Sequence, residues 1–154
     1  MSMDDIEARP IGVVKGPVAE PRDDEWGEVV SEVHFDQDLT PGLEGLEQFS
    51  HALVVFWMHK SSFQSDSDLV RRPRGRADMP ELGIFAQRAK HRPNPIGVTA
   101  VRIVGRSGAV LTVKGLDAID GTPILDVKPY VPAFDTRTEA TVPGWMQRLM
   151  EGYF

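Results

Sequence analysis

The segment Arg92-Pro93-Asn94-Pro95-Ile96-Gly97 restricts this chain more than any other stretch. Proline fixes its own φ, offers no N–H, and pushes the residue before it out of the helical region. Arg92 and Asn94 are therefore expected to be non-helical, and no helix can run through the segment. Gly83-Ile84-Phe85-Ala86 before it is a short apolar run that reads as a strand. Val98 to Ile103 after it alternates as a second strand. Between them, Gln87 to Gly97 carries Arg88, Lys90, His91 and Arg92. A basic loop between two strands, stiffened at its exit, either holds cations at set positions or is simply a solvated corner.

The rest of the chain has the same short-strand character. Pro10 to Lys15 reads as a first strand, Gly16 to Gly27 as a loop, and Glu28 to Phe35 as a second strand. Asp36 to Glu44 is a turn region, and Leu43 to Phe49 fits one helical turn. His51 to His59, HALVVFWMH, is the most apolar run and is expected as a central strand buried on both faces. Alternation puts His51, Leu53, Val55, Trp57 and His59 on one face. The two histidines are then roughly 27 Å apart at about 3.4 Å per residue, too far to share a metal. Lys60 to Pro80 is a long polar connection, of a kind usually functional or mobile.

Gly105 to Gly108 is expected as the tight turn of a hairpin leading into AVLTVKGL. Asp120-Gly121-Thr122-Pro123 is a further turn, followed by a strand from Ile124 to Lys128. Asp126 and Lys128 share a face there, so an ion pair is as good a reading as catalysis. Pro143 to Phe154 suits a short helix, with Trp145/Leu149 and Met146/Met150 at i,i+4. The organisation expected is a loose tail over 1–9, a domain over 10–142 and a C-terminal helix over 143–154 packed on it. Many short strands with turn signals favour an all-β barrel or sandwich.

Composition excludes several chemistries. The chain has no cysteine, so disulfides, thiolate catalysis and cysteine-ligated metals are out, and a cytoplasmic location is expected. No apolar run is long enough for a membrane helix, and the acidic start MSMDDIEARP is no secretory signal. No GxGxxG, GxxxxGK[ST], GxSxG or HExxH pattern occurs. The net charge is −6, yet Arg71, Arg72, Arg74, Arg76, Arg88, Lys90 and Arg92 face only Asp78 and Glu81 within residues 71–92. That is a local +5 against −11 elsewhere. Such a patch could meet a phosphate backbone, or be a solvated face.

FAQRAKHRPNPIG resembles the signature FATRS-x-x-RPNPIG of the TrmO/TsaA-like family. Three further stretches fit that family in order: GLEQFSH at 45–51, RRPR at 71–74, and LDAIDGTPILDVKPY at 116–130. The resemblance spans about residues 10 to 135. It implies a single small β-barrel that binds S-adenosylmethionine and forms a homodimer. It further implies N6-methylation of threonylcarbamoyladenosine beside the tRNA anticodon. Carried over, the cofactor contacts are Pro21, Arg22, His59, Lys60, Arg88, Val98, Lys114, Gly115, Leu116 and Asp117.

Methyl transfer is an in-line displacement in which alignment counts for more than a strong acid or base. A modest base would suffice, and His59, Asp120 and Asp126 are the candidates. Some relatives carry an extra C-terminal domain implicated in engaging tRNA; here tRNA is expected on the barrel and on Arg71, Arg72, Arg74, Arg76, Lys90 and Arg92. No metal is expected. Gln87 and Ala89 replace the signature's Thr and Ser, and Lys90 stands where Pro is common. These departures bear on the acceptor more than on the cofactor. A methyltransferase with a small-molecule acceptor, and a non-catalytic S-adenosylmethionine- or RNA-binding barrel, are the alternatives.

Overall fold

The computed structural model describes residues 4–154. The expected tail over 1–9 lies partly outside the described residues, which leave out residues 1–3. Among the described residues eight strands occur: β1 Gly12–Lys15, β2 Val30–Phe35, β3 His51–Trp57, β4 Val70–Arg71, β5 Leu82–Gly83, β6 Ile96–Ser107, β7 Val110–Lys114 and β8 Pro123–Pro129. Six of them close into an antiparallel barrel in the order β1-β2-β7-β6-β3-β8, while β4 and β5 pair separately. The mainly-β expectation therefore resolves to a barrel, with three short helices, α1 Ser65–Asp68, α2 Pro132–Asp135 and α3 Gly144–Leu149.

Strand alternation fills the interior. Val14, Val33, Phe35, Ala52, Val54, Phe56, Val101, Leu111, Val113 and Ile124 point inward and are buried. β3 pairs with β6 on one side and β8 on the other. It is not buried on both faces as expected. Ala52, Val54 and Phe56 fill the barrel, whereas Leu53 and Val55 are half-buried and Trp57 is exposed. In a closed barrel only one face of a strand meets the core. The outer apolar face is answered by Ile96, Val98 and Ala100, which lie opposite Trp57, Val55 and Leu53 on β6.

Several local expectations are corrected. Gly83 to Ala86 is not one strand: the chain pairs only over Leu82–Gly83, then turns through Ile84–Ala86 so that Ile84 is buried and Phe85 is exposed. The connection from 60 to 80 is not structureless, since it contains α1, β4 and a 3₁₀ turn at Pro73–Gly75. The hairpin turn is not Gly105 to Gly108. β6 continues to Ser107, with a register shift between Ile103 and Gly105, and the turn is Gly108-Ala109. Gly108 has φ +58° at the first central position, where a two-residue hairpin turn favours glycine. The C-terminal helix is also shorter than expected. It ends at Leu149 with Met150 as its cap, and Gly152, at φ +71°, then turns Tyr153 and Phe154 back toward the barrel.

The turn at 120–123 and the Asp126–Lys128 pair (2.7 Å) follow the expected pattern. Two contacts hold the proline-rich loop. Pro95 O accepts the Met58 N–H at 2.7 Å, and Gln87 Nε2 donates to the carbonyls of Arg71 and Leu82 at 2.8 and 3.1 Å. Gly97 completes the fit, because a Cβ there would stand 2.5 Å from the Phe56 ring. Phe56 is buried and has little room to withdraw. Gly97→Ala is therefore expected to lower unfolding free energy by about 1–3 kcal/mol, measured by denaturant titration. An unchanged midpoint would mean the ring moves freely.

Candidate functional site

A cleft of about 1000 Å³ runs along the β3–β6 pair. Its walls come from several distant parts of the chain. The loop after β1 gives Pro21, Arg22 and Trp26; the end of β3 gives Met58, His59 and Lys60; the proline-rich loop gives Gln87 to Arg92. β6 and the segment after β7 give Val98, Thr99, Asp117, Ala118 and Ile119. The C-terminal segment gives Trp145, Met146, Leu149, Met150, Tyr153 and Phe154.

Hydrogen bonds fix most of the cleft's cations. Arg88 donates to Val98 O at 2.6 Å, across the base of the proline loop. Lys60 meets Glu20 at 3.2 Å and Ala19 O at 3.4 Å, tying the end of β3 to the loop after β1. Arg22 donates to Glu25 O at 2.6 Å and lies 4.9 Å from the Trp26 ring centre. Arg92 donates to Gln87 O at 2.8 Å, and Arg74 lies over the Tyr153 ring at 5.8 Å.

The acidic side of the cleft centres on Asp117. Thr99 Oγ1 donates to its Oδ1 and the Tyr153 hydroxyl donates to its Oδ2. Burial, and then the neighbouring Asp117 charge, push the Tyr153 phenol well above its usual range. The phenol therefore stays protonated and serves as a donor. The tail is itself anchored, with Glu25 N–H bonded to Gly152 O and Trp26 N–H to Tyr153 O, each at 2.8 Å. Gly27 lies against Phe154, where a Cβ would come within 2.5 Å of the main chain.

Of the residues expected at a cofactor, Pro21, Arg22, His59, Lys60, Arg88, Val98 and Asp117 line this one cleft. Lys114, Gly115 and Leu116 do not: Lys114 pairs with Glu28 at 2.6 Å, and Leu116 is fully buried in the barrel core. Of the three candidate bases only His59 lines the cleft. Asp120 accepts the Gly16 N–H at 3.1 Å, and Asp126 lies on β8 with its carboxylate bonded to Lys128.

Of the basic patch, Arg71, Arg74, Lys90 and Arg92 line the cleft. Arg72 and Arg76 turn elsewhere, Arg72 to the Met79 carbonyl and Arg76 to Asp78 at 2.7 Å. Thr99, Trp26 and Tyr153 were not signalled by any motif. Tyr153 meets Asp117 across 36 residues of chain, a closeness that only the folded tail creates.

Residues 15–136 match the model of the tRNA-methyltransferase O N-terminal domain. A probable S-adenosyl-L-methionine-binding protein of Pyrococcus abyssi is 37% identical over 145 residues, covering 91% of this chain and 76% of its own. The human tRNA (adenine(37)-N6)-methyltransferase is 39% identical over 101 residues, 66% of this chain but 22% of its own. A crystal structure of TrmO from P. aeruginosa superposes with a TM-score of 0.74 at 32% identity. That match takes in 94% of this chain and 63% of the TrmO chain, so the chain spans somewhat under two thirds of that protein. With the matched motifs and the barrel, these likenesses show that the chain belongs to the tRNA-methyltransferase O N-terminal domain family.

Proposed function

We propose that this protein is an S-adenosylmethionine-dependent methyltransferase that N6-methylates threonylcarbamoyladenosine beside the tRNA anticodon. The observation that carries the reading is the single cleft that gathers Pro21, Arg22, His59, Lys60, Arg88, Val98 and Asp117. The residues fit the cofactor chemically. Asp117 offers a fixed carboxylate for hydroxyl or amine donors, while Arg22, Lys60 and Arg88 offer cations to the amino-acid carboxylate. Met58, Ala118 and Ile119 offer apolar surface for adenine. When bound, S-adenosylmethionine supplies a methyl group on a sulfonium sulfur. A relative named as an S-adenosyl-L-methionine-binding protein and one named as a tRNA (adenine(37)-N6)-methyltransferase support the same reading.

The chain's own part is placement. Arg88 closes the proline loop onto β6, and that loop also brings Lys90 and Arg92 to the cleft. With Arg71 and Arg74 these cations are suited to a nucleic-acid phosphate. His59 stands on the wall where a proton can be accepted, while alignment does most of the work. A homodimer is part of the reading, supported by Trp57, which is exposed on the outer face of β3 beside the cleft that Ile96 and Val98 line. A tRNA substrate points to the cytoplasm, and no helix among the described residues is long and apolar enough to cross a membrane.

Calorimetric titration with S-adenosylmethionine is expected to show saturable binding that Arg88→Ala weakens by roughly tenfold or more, the scale of a lost charged hydrogen bond. Equal affinity in the variant would remove Arg88 from the site. With radiolabelled cofactor and hypomodified tRNA, wild-type protein is expected to transfer methyl groups. His59→Ala is expected to retain measurable turnover at a rate lower by about 10²-fold. Transfer to small nucleosides but not tRNA would favour the small-molecule reading, and tRNA binding without transfer the non-catalytic one. Light scattering is expected to give a dimer that Trp57→Glu shifts to monomer; a monomeric wild-type protein would rule the dimer out.

A further inference from the structure

The Thr99–Asp117–Tyr153 cluster joins three distant parts of the chain at one wall of the cleft. Each oxygen of the Asp117 carboxylate takes one hydroxyl from the protein. A carboxylate oxygen can accept more than one hydrogen bond, so each keeps capacity for an outside donor. A carboxylate held by two donors has lost the rotation that would otherwise oppose a well-defined contact. The next residues, Ala118 and Ile119, are apolar and buried, as the base end of a nucleoside requires, while the cations of the cleft stand on other segments. A nucleoside laid on that apolar surface would bring its ribose hydroxyls toward Asp117.

Tyr153 is no loose neighbour. Its carbonyl accepts the Trp26 N–H, its own N–H bonds Met150 O at 3.1 Å, and its ring meets Phe154 edge-on at 4.7 Å. The hydroxyl arrives at Asp117 from a segment anchored independently of it, so the contact is built rather than incidental. We propose that Tyr153 is a positioning residue, which acts through Asp117 to orient that carboxylate toward the ribose hydroxyls of the bound cofactor. The proposal rests on the reading of the cleft as an S-adenosylmethionine site. It extends that site to the C-terminal segment, beyond the stretch that carries the family motifs.

The test is a two-by-two titration. Wild type and Tyr153→Phe are each titrated with S-adenosylhomocysteine and with its 2′,3′-dideoxy analogue. Phenylalanine keeps the ring and the tail's backbone bonds, and near-ultraviolet circular dichroism checks that the fold is intact. The variant is expected to lose roughly tenfold in affinity for the ribose-bearing ligand and almost none for the dideoxy ligand. In turnover, the cofactor KM should rise by a similar factor with kcat little changed. Equal loss for both ligands would mean a general structural role and overturn the proposal. Unchanged or tighter binding would do the same, the second because the phenol would then be a competitor for Asp117. If the wild-type protein bound neither ligand, the cofactor reading itself would fall, an outcome distinct from these.

Discussion

The close approach of Phe56 to Gly97 is the contact on which the rest of the architecture depends. β3 is held between β6 and β8, and Phe56 is its last inward residue before the chain leaves the barrel. Because Gly97 has no side chain, the ring can lie against the β6 backbone, which lets β6 begin directly after the prolines. The proline loop is thus joined to the barrel at a close-packed point rather than through a hinge. Arg88, Lys90 and Arg92 inherit their positions from that junction, and the cleft owes one of its walls to it.

How far these features could be read in advance depends on the range of the interactions involved. Strand alternation is local, so the barrel strands and the inward Ala52, Val54 and Phe56 follow from period-two patterning. What failed was the reading of β3's second face. An apolar residue such as Trp57 looks the same in a sequence whether it meets a core, a cleft or a partner surface. The hairpin was displaced for a similar reason: two glycines, Gly105 and Gly108, were both eligible for the turn, and only the pairing register decides between them. The motif-bearing half of the cleft was legible, because the proline loop and the segment around Asp117 carry it. The tail was not, since Tyr153 and Thr99 reach Asp117 only through tertiary closure.

The basic segment shows why charge counts mislead. Read as a string, residues 71–92 resemble a polyanion-binding patch. In the fold much of that charge is engaged in holding the segment together: Arg71 pairs with Asp68, Arg72 and Arg92 donate to carbonyls, and Arg76 pairs with Asp78. A guanidinium is well suited to this, having several donors in a planar fork and no need of a formal counter-ion. The arginines can therefore be scaffold and ligand surface at once, with bonded N–H groups facing in and the net charge still felt at the cleft.

Gln87 has a consequence for how this loop can change over time. Its amide nitrogen reaches the main-chain carbonyls of Arg71 and Leu82, partners across the β4–β5 pair, while its buried oxygen has no partner among the described residues. A threonine, the residue of the family signature, is too short to span both carbonyls. Exchanging one for the other would leave at least one carbonyl stranded unless the path of residues 71–82 changed as well. The position is therefore coupled to its surroundings: in this chain a threonine at 87 is expected to be accommodated only together with changes along residues 71–82.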